Sequence, residues 1–340
     1  MAKRVVIVGG GAAGMQTALE LKSRGIEPII IERDMDLGGK VRDWHKLFPS
    51  FTPASDVLQP IIDKVRSSRI RCLLGQEVKA FAEDGVILRS EEHVPADAVV
   101  IATGFSLFDA HRKQEYGYGL YHNVITSVDL ERMMNNGRVM LADGTEPRRI
   151  AILHCVGSRD EKVCQKHCSK VCCITGVKQA IELKQMFPTA DVFNFYMDIR
   201  MFGPGYEELY REAQQRYNIH FVRGRISEAA QTINDRIQIK AEDTLTGRPL
   251  RMSVDMLVLL VGMSANRDNE ALAAASNLSL APNGYFQTKD SFLGAVQSER
   301  PGIFYAGAAT APKSLADTLA EASMTASAVE RYLRDKYNNR

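Results

Sequence analysis

Five of the six cysteines in the chain fall between Cys155 and Cys173, at Cys155, Cys164, Cys168, Cys172 and Cys173. Thiols this dense suit three kinds of chemistry: ligating an iron–sulfur cluster, holding a structural zinc ion, or cycling between thiol and disulfide. A redox pair fits the spacing least, because no C-x-x-C occurs, although the adjacent Cys172 and Cys173 can form a strained vicinal bridge. Clustering also argues against a scattered disulfide framework. Cys168 and Cys172 are four apart and on a helix would share a face, with Cys173 rotated by about 100°. His154 and His167 flank Cys155 and Cys168 and are alternative ligands. Cys72, isolated in RIRCLLG, reads as a buried apolar residue.

A second group of residues is chemical through its backbone. The run RVVIV is a short β-branched strand, and GGGAAGMQTALELKSRG switches to helical spacing, with Ala13, Leu19 and Leu21 among its apolar positions and Gly25 placed to end it. A second buried strand, EPIIIERD, follows. The glycines stand as Gly9-x-Gly11-x-x-Gly14, with Glu32 at the end of the second strand. In such a βαβ unit Gly9 allows the tight turn, Gly11 lets a pyrophosphate approach, Gly14 lets helix pack on strand, and Glu32 accepts from ribose hydroxyls. The Gly38-Gly39 doublet of LGGK offers a second close backbone approach and favours the longer cofactor FAD over NAD, although by itself the doublet also fits a plain turn.

The elements that must position these groups belong to an ordinary globular chain. Its 340 residues suit two domains, and 45% apolar with 25% charged residues excludes disordered and fibrous classes. With 43 basic and 41 acidic residues, no global field points to nucleic acid or an anionic membrane. The start MAKRVVIVGGGAAG has two basic residues before an apolar run, yet glycines break the run and no cleavage site follows, so a signal peptide is not expected. No stretch reaches the ~18 apolar residues of a membrane span, and a cytoplasmic protein is expected.

Two further segments extend the pattern. ADAVVIATGF is a buried strand ending in Ala102-Thr103-Gly104, and GIFYAGAAT ends in glycine before the long helical SLADTLAEASMTASAVERYL. These resemble the ATG strand and the final flavin-contacting strand and helix of two-dinucleotide-binding-domain flavoproteins, of which thioredoxin reductase is a member. The resemblance implies an α/β fold with a discontinuous Rossmann-like FAD domain, residues 1–120 plus 285–340, and an inserted α/β domain, residues 121–284. DMLVLLVGM echoes DAVVIATGF, as two related halves would. Cofactor-binding candidates on this reading are Gly9, Gly11, Ala13, Gly14, Glu32, Arg33, Gly39, Lys40, Val78, Ala102, Thr103, Gly104, Gly307, Lys313, Asp317 and Thr318. Asp317 and Thr318 stand near the start of the last helix, whose dipole favours negative charge, although simple capping is the other role for them.

The inserted domain opens with a good strand, RRIAILH, but no GxGxxG follows. Cys155 stands instead at the carboxyl end of the strand, where α/β folds keep their ligands. CVGSRD, then HCSKVCC and VKQA, together with ATGF and EYGYGLYHNVITSVDLER, resemble the A-type subunit of heterodisulfide reductase. That resemblance implies a [4Fe–4S] cluster on Cys155, Cys168, Cys172 and Cys173, with Cys164 a bystander. It also puts Lys178 close to the flavin ring, where a cation would tune the flavin; a solvated helix lysine is the plain alternative. Family members from methanogens are longer and carry ferredoxin-type CxxCxxCxxxCP segments, which are missing here. The chain resembles the short form of sulfur-oxidising or sulfate-reducing organisms. The implied function is an FAD- and cluster-containing electron-transfer subunit in sulfur-compound metabolism, relaying electrons to other subunits of a heterodisulfide reductase-like complex, and a homodimer is expected. An NAD(P)H-dependent flavin disulfide reductase and a zinc-stabilised scaffold are the competing readings. Arg159 and Asp160 either order the cysteine loop through ion pairing or cover surface. Tyr116, Tyr118 and Tyr121 suit loop packing or shielding of a flavin.

Overall fold

The computed structural model describes residues 3–338. Met1 and Ala2, which open the start weighed as a signal peptide, and Asn339 and Arg340, at the end of the expected FAD domain, lie outside the described residues. The chain forms two compact units, one made of the residues up to Arg42, Ala54–Ser106 and from Ser264 onward, the other of Asp43–Pro53 and Leu107–Met263.

In the first unit a five-stranded parallel sheet runs in the order Ile303–Tyr305, Ala98–Ile101, Arg4–Val8, Glu27–Glu32, Arg71–Leu74. Val5, Val6, Ile7 and Ile29 to Ile31 are buried, which explains why these strands read as continuous apolar runs and not as alternating ones. Helix Ala12–Ser23 crosses between the first two strands and packs on the long C-terminal helix Leu315–Asn338. Gly25 adopts φ +72° just beyond the first helix. An antiparallel meander, Val78–Ala82, Gly85–Leu88 and His93–Pro95, completes the unit.

The second unit repeats the plan. Its parallel sheet has the order Val124–Thr126, Met256–Val261, Arg149–Val156, Asp191–Tyr196, His220–Arg223, with helix Cys172–Met186 as the crossover and a meander of Ile226–Gln231, Ile237–Asp243 and Arg248–Val254. The echo of DAVVIATGF in DMLVLLVGM is thus one of position as well as sequence. Even the fastening at the amino end of the first strand is shared. In the first unit Arg4 N–H donates to Asp97 Oδ2 (2.9 Å) and Asp97 N–H to Arg4 O (2.8 Å). In the second, Arg149 N–H donates to Asp255 Oδ2 (2.8 Å) and Asp255 N–H to Arg149 O (2.8 Å).

The unit edges at 106/107 and 263/264 both fall N-terminal to the expected 120/121 and 284/285. Phe108, Ala110 and Tyr116 join a core of the second unit with Phe195 and Leu257, whereas Leu272, Ala273, Leu278 and Phe286 join a core of the first with Ile303 and Tyr305. The short excursion 43–53 has no sequence signal that announces it. It places Phe48 and Phe51 against the second unit's core.

Candidate functional site

All sixteen cofactor-binding candidates fall in the first unit, and Lys178 and the four cysteines fall in the second. At the carboxyl end of the Arg4–Val8 strand, Gly9 adopts φ +112° and donates its N–H to Ile31 O at 2.8 Å. A Cβ at Gly9 would overlap the Ala102 carbonyl, and one at Gly14 would overlap the Gly9 carbonyl oxygen. Gly11 caps helix Ala12–Ser23 with no side-chain hydrogen bond, so the N–H groups of the first turn have no side-chain cap. Gly11 bridges Gly38, and Gly38 N–H donates to Gly10 O at 2.9 Å. Both Glu32 oxygens accept backbone donors, Oε2 from Gly10 (2.6 Å) and Oε1 from Asp34 (2.9 Å), which holds the carboxylate at the turn. Thr103 Oγ1 is buried without a hydrogen-bond partner. An uncapped helix start, facing glycines and an orphaned hydroxyl suit a dinucleotide's phosphates and hydroxyls.

The remaining candidates surround this turn more loosely. Ala13 lies against Gly307, and Thr318 flanks Gly307 as well. The Lys313 ammonium is held by Gly307 O (2.8 Å), Thr310 Oγ1 (2.7 Å) and Glu321 (2.9 Å), so it braces the turn before the last helix. Asp317 caps that helix reciprocally with Ser314, each backbone N–H donating to the other's side chain. Arg33 pairs with Asp268 at 2.5 Å, Lys40 Nζ stands 5.6 Å from the Phe105 ring centre, and Val78 packs on two of the unit's cores. Gly104 adopts φ +68° beyond Thr103, whose carbonyl accepts from Asn266 Nδ2 at 2.6 Å. Gly39 opens the turn Gly39–Asp43.

In the second unit Leu153 pairs with Leu259 as Val8 pairs with Ile101, so His154 stands where the first unit has Gly9 and Cys155 where it has Gly10. The Gly14–Gly9 approach has its counterpart in Gly176, where a Cβ would strike the buried His154 imidazole. A buried side chain therefore stands between strand and helix where the first unit has glycine on glycine, and sixteen residues, 156–171, intervene between Cys155 and the helix. That helix begins at Cys172. Cys168 precedes it in irregular chain, so Cys168 and Cys172 do not share a helical face as their spacing suggested.

The loop is heavily fastened. Asp160 is buried and accepts from Lys113 Nζ (2.9 Å) and Arg225 Nη2 (2.6 Å). Arg159 pairs with Asp198 (2.8 Å), Ser158 with Ser169 (2.5 Å), and Ser169 Oγ accepts from Met263 N–H (2.7 Å). Arg159 and Asp160 thus order the loop, each through a partner outside it. Cys155, Arg159, Cys164 and Lys170 all hold φ between +54° and +61°, conformations that persist only where the surroundings impose them. His167 Nε2 bonds Met263 O (2.8 Å). Tyr116 is core, and Tyr118 donates to Asp129 (3.1 Å), which fits packing roles.

Cys172 is the hub of the thiols, bonding Cys155, Cys168 and Cys173, and these bonds with its burial push its own thiol well up. The bond from Cys172 draws Cys173 down to about 4 and Cys168 to about 6, and lowers Cys155 as well. Burial opposes these shifts; His154 assists at Cys173 and the Lys170 N–H at Cys168. Burial lowers the His154 imidazole, but Cys173, Asn194 and Cys155 together outweigh it and leave the net shift upward. Cys164 is exposed, and Cys72 is half-buried in an outer strand with its thiol pushed up by burial. Among the described residues, no group of three or more His, Cys, Asp or Glu side chains is arranged to hold one metal ion. A cubane needs one thiolate for each of its irons and not four around a common centre, so four thiols gathered with three of them hydrogen-bonded to Cys172 suit it in number and chemistry.

Lys178 is not a solvated helix lysine. It is buried, with Nζ 2.5 Å from Glu131 Oε1, 3.1 Å from Glu182 Oε2 and 2.9 Å from Lys46 O. Gln179 also donates to Glu131 (2.6 Å), and His45 Nδ1 lies 2.9 Å from Glu182 Oε1. Sequence reasoning missed His45, Glu131 and Glu182. Only the i,i+4 spacing of Lys178 and Glu182 signalled this network.

Two units of one dinucleotide-binding plan, the first with its glycine turn and strand-end carboxylate, the second with a cysteine loop in place of that turn, define a flavoprotein oxidoreductase architecture. Residues 3–327 match the pyridine nucleotide-disulphide oxidoreductase family, and the chain belongs to it. It is similar to the iron-sulfur A-type subunit of the CoB–CoM heterodisulfide reductase of Methanocaldococcus jannaschii, 31% identical over 96% of this chain and 64% of the relative. It is likewise similar to the A-type subunit of the ferredoxin/F420H2-dependent CoB–CoM heterodisulfide reductase of Methanosarcina acetivorans, 33% identical over 91% of this chain and 39% of that protein. The chain thus spans less than two thirds of the length of these relatives. In fold it matches thioredoxin reductases of Lactococcus lactis (TM-score 0.68, 15% identity, 98% of this chain and 99% of that one) and T. acidophilum (TM-score 0.65, 18% identity, 97% and 98%).

Proposed function

We propose that the chain is an electron-transfer subunit of a heterodisulfide reductase-like complex, holding FAD in the first unit and a [4Fe–4S] cluster on Cys155, Cys168, Cys172 and Cys173 in the second. The observation that carries this reading is the exchange at the end of the Arg149–Val156 strand, where His154 and a fastened cysteine loop stand in place of a nucleotide turn. When bound, FAD supplies exchange between two-electron and one-electron transfer and the cluster supplies one-electron transfer.

The chain's own residues have separable tasks. Gly9, Gly11 and Gly14 keep the backbone close and the helix start open for phosphate oxygens, and Glu32 is held to accept from ribose hydroxyls. Ala102, Thr103, Gly104, Gly307 and Thr318 line the first unit's other strand ends, with Lys313 bracing them. Arg33, Gly39, Lys40 and Val78 complete the FAD contacts, and Lys178, the cation that the family resemblance assigns to the flavin, is held by Glu131 and Glu182 within the second unit. Partners are the other subunits of such a complex and a second copy of this chain, and the setting is cytoplasmic sulfur-compound metabolism. Among the described residues no helix is long and apolar enough to cross a membrane.

Metal, sulfide and flavin analysis of anaerobically purified protein tests this directly, with spectra before and after NAD(P)H and dithionite. About four irons, four sulfides and one FAD per chain, bleached by dithionite and not by NAD(P)H, are expected. Stoichiometric zinc, or rapid bleaching by NAD(P)H, would overturn the reading.

A further inference from the structure

Arg159 carries a donor that the protein itself does not use. Its Nη2 bonds Asp198 Oδ2 at 2.8 Å, yet its Nη1 is buried and has no hydrogen-bond partner. A charged donor left so costs more than a neutral unsatisfied group, so its retention calls for an acceptor.

The side chain is aimed from several directions. The Arg159 backbone sits at φ +54° and its N–H donates to His167 O at 3.0 Å, which fixes where the side chain leaves the loop. Asp198 holds the guanidinium, and the Asp198 carbonyl oxygen lies 3.5 Å from Cys173 Sγ, which places that residue against the cysteine shell. Arg200 and Arg223 lie 3.8 and 3.9 Å from the same carboxylate, so Asp198 is shared and Arg159 keeps net positive charge to offer. The guanidinium interacts electrostatically with Cys155 and Cys168, two of the four proposed ligands.

We infer that Arg159 Nη1 donates a hydrogen bond to a sulfur of the cluster or of its Cys155 or Cys168 ligand, and so raises the cluster's reduction potential. This rests on the cluster reading above. Four thiolates around a cubane leave net negative charge, and N–H groups directed at its sulfurs stabilise the form with one more electron. The Lys170 N–H, 3.4 Å from Cys168 Sγ, is a backbone donor of the same kind, but only the guanidinium brings full charge.

The test compares wild-type protein with Arg159→Gln and Arg159→Lys, all purified anaerobically and analysed first for iron and sulfide. Redox titration with dithionite, followed by electron paramagnetic resonance, should show Arg159→Gln reduced about tenfold less readily at a given potential, about 59 mV lower for one electron. Arg159→Lys should recover part of the shift. Pulsed resonance on wild-type protein labelled with [15N]arginine should show coupling to an arginine nitrogen that Arg159→Lys lacks. If Arg159→Gln does not assemble a cluster, the wild-type coupling decides the matter. Full iron with an unchanged potential in Arg159→Gln, or no arginine coupling in the wild type, would overturn the role of Arg159 alone. Wild-type protein without iron and sulfide would overturn the cluster reading, and this inference with it.

Discussion

Lys178 shows how much a single buried charge organises. Its ammonium faces Glu131 and Glu182, all three side chains being 5% exposed or less, so replacing it with alanine strands two carboxylates in the interior. Lys178→Ala should lose about 3–5 kcal/mol of stability in urea titrations, independently of any flavin. Glu131→Gln/Glu182→Gln in the same background should recover much of that loss; no recovery would remove the stranded carboxylates from the account. Gly14 makes the contrasting case, where the side chain must be absent. Gly14→Ala would push the first helix off the Gly9 carbonyl at a cost on the order of 3 kcal/mol, and flavin content per chain should fall sharply. Of these two residues only Gly14 was legible in the sequence. Its role depends on neighbours five residues away, whereas Lys178 draws Glu131, and its partner Glu182 draws His45, from segments 47 and more residues distant, one of which the sequence pattern places in the other domain.

At the scale of the element, the cysteine loop depends on Asp160 as a buried anchor. Burial alone would raise its carboxyl, but the bonds and charges of Lys113 and Arg225 hold it below the ordinary range. A depressed folded value means the stabilisation is fully present above the unfolded pKa of about 4 and is lost as pH falls through the lower folded value. Hydrogen exchange over 156–171 should therefore accelerate below about pH 4. In Asp160→Asn it should be fast already at neutral pH and nearly flat through that window; equal pH profiles would remove Asp160 from the account. The sequence announced a metal or redox loop through its five thiols but not its shape. Which residue bends backward at φ +61°, and that Cys168 lies outside the helix while Cys172 starts it, follow from fastenings to Lys113, Arg225 and Met263, which spacing alone does not encode.

For the whole molecule, two units with separate sites predict separable responses to removal of what they hold. Stripping iron with a chelator under anaerobic conditions should speed hydrogen exchange across 155–173 and leave 4–40 unchanged, and stripping flavin should do the reverse, since a ligand stabilises the state that binds it. Uniform changes in both segments would show that the two sites report on one cooperative structure. The doubled architecture was legible because each half repeats a strand, a crossover and a glycine-ended strand in local sequence. Its edges were not, because Phe108 and Leu272 choose their cores by packing, and the 43–53 excursion carries no motif. The carboxylate fastenings at Asp97 and Asp255 have a wider consequence. They pin strand alignment at the end of each sheet remote from the loops, so the opposite rim is free to be rewritten without the one-residue slip that would turn every side chain over. Such a frame behaves as a chassis with an interchangeable socket. The fastenings keep the frame in register, and the loop fitted to the rim decides the chemistry.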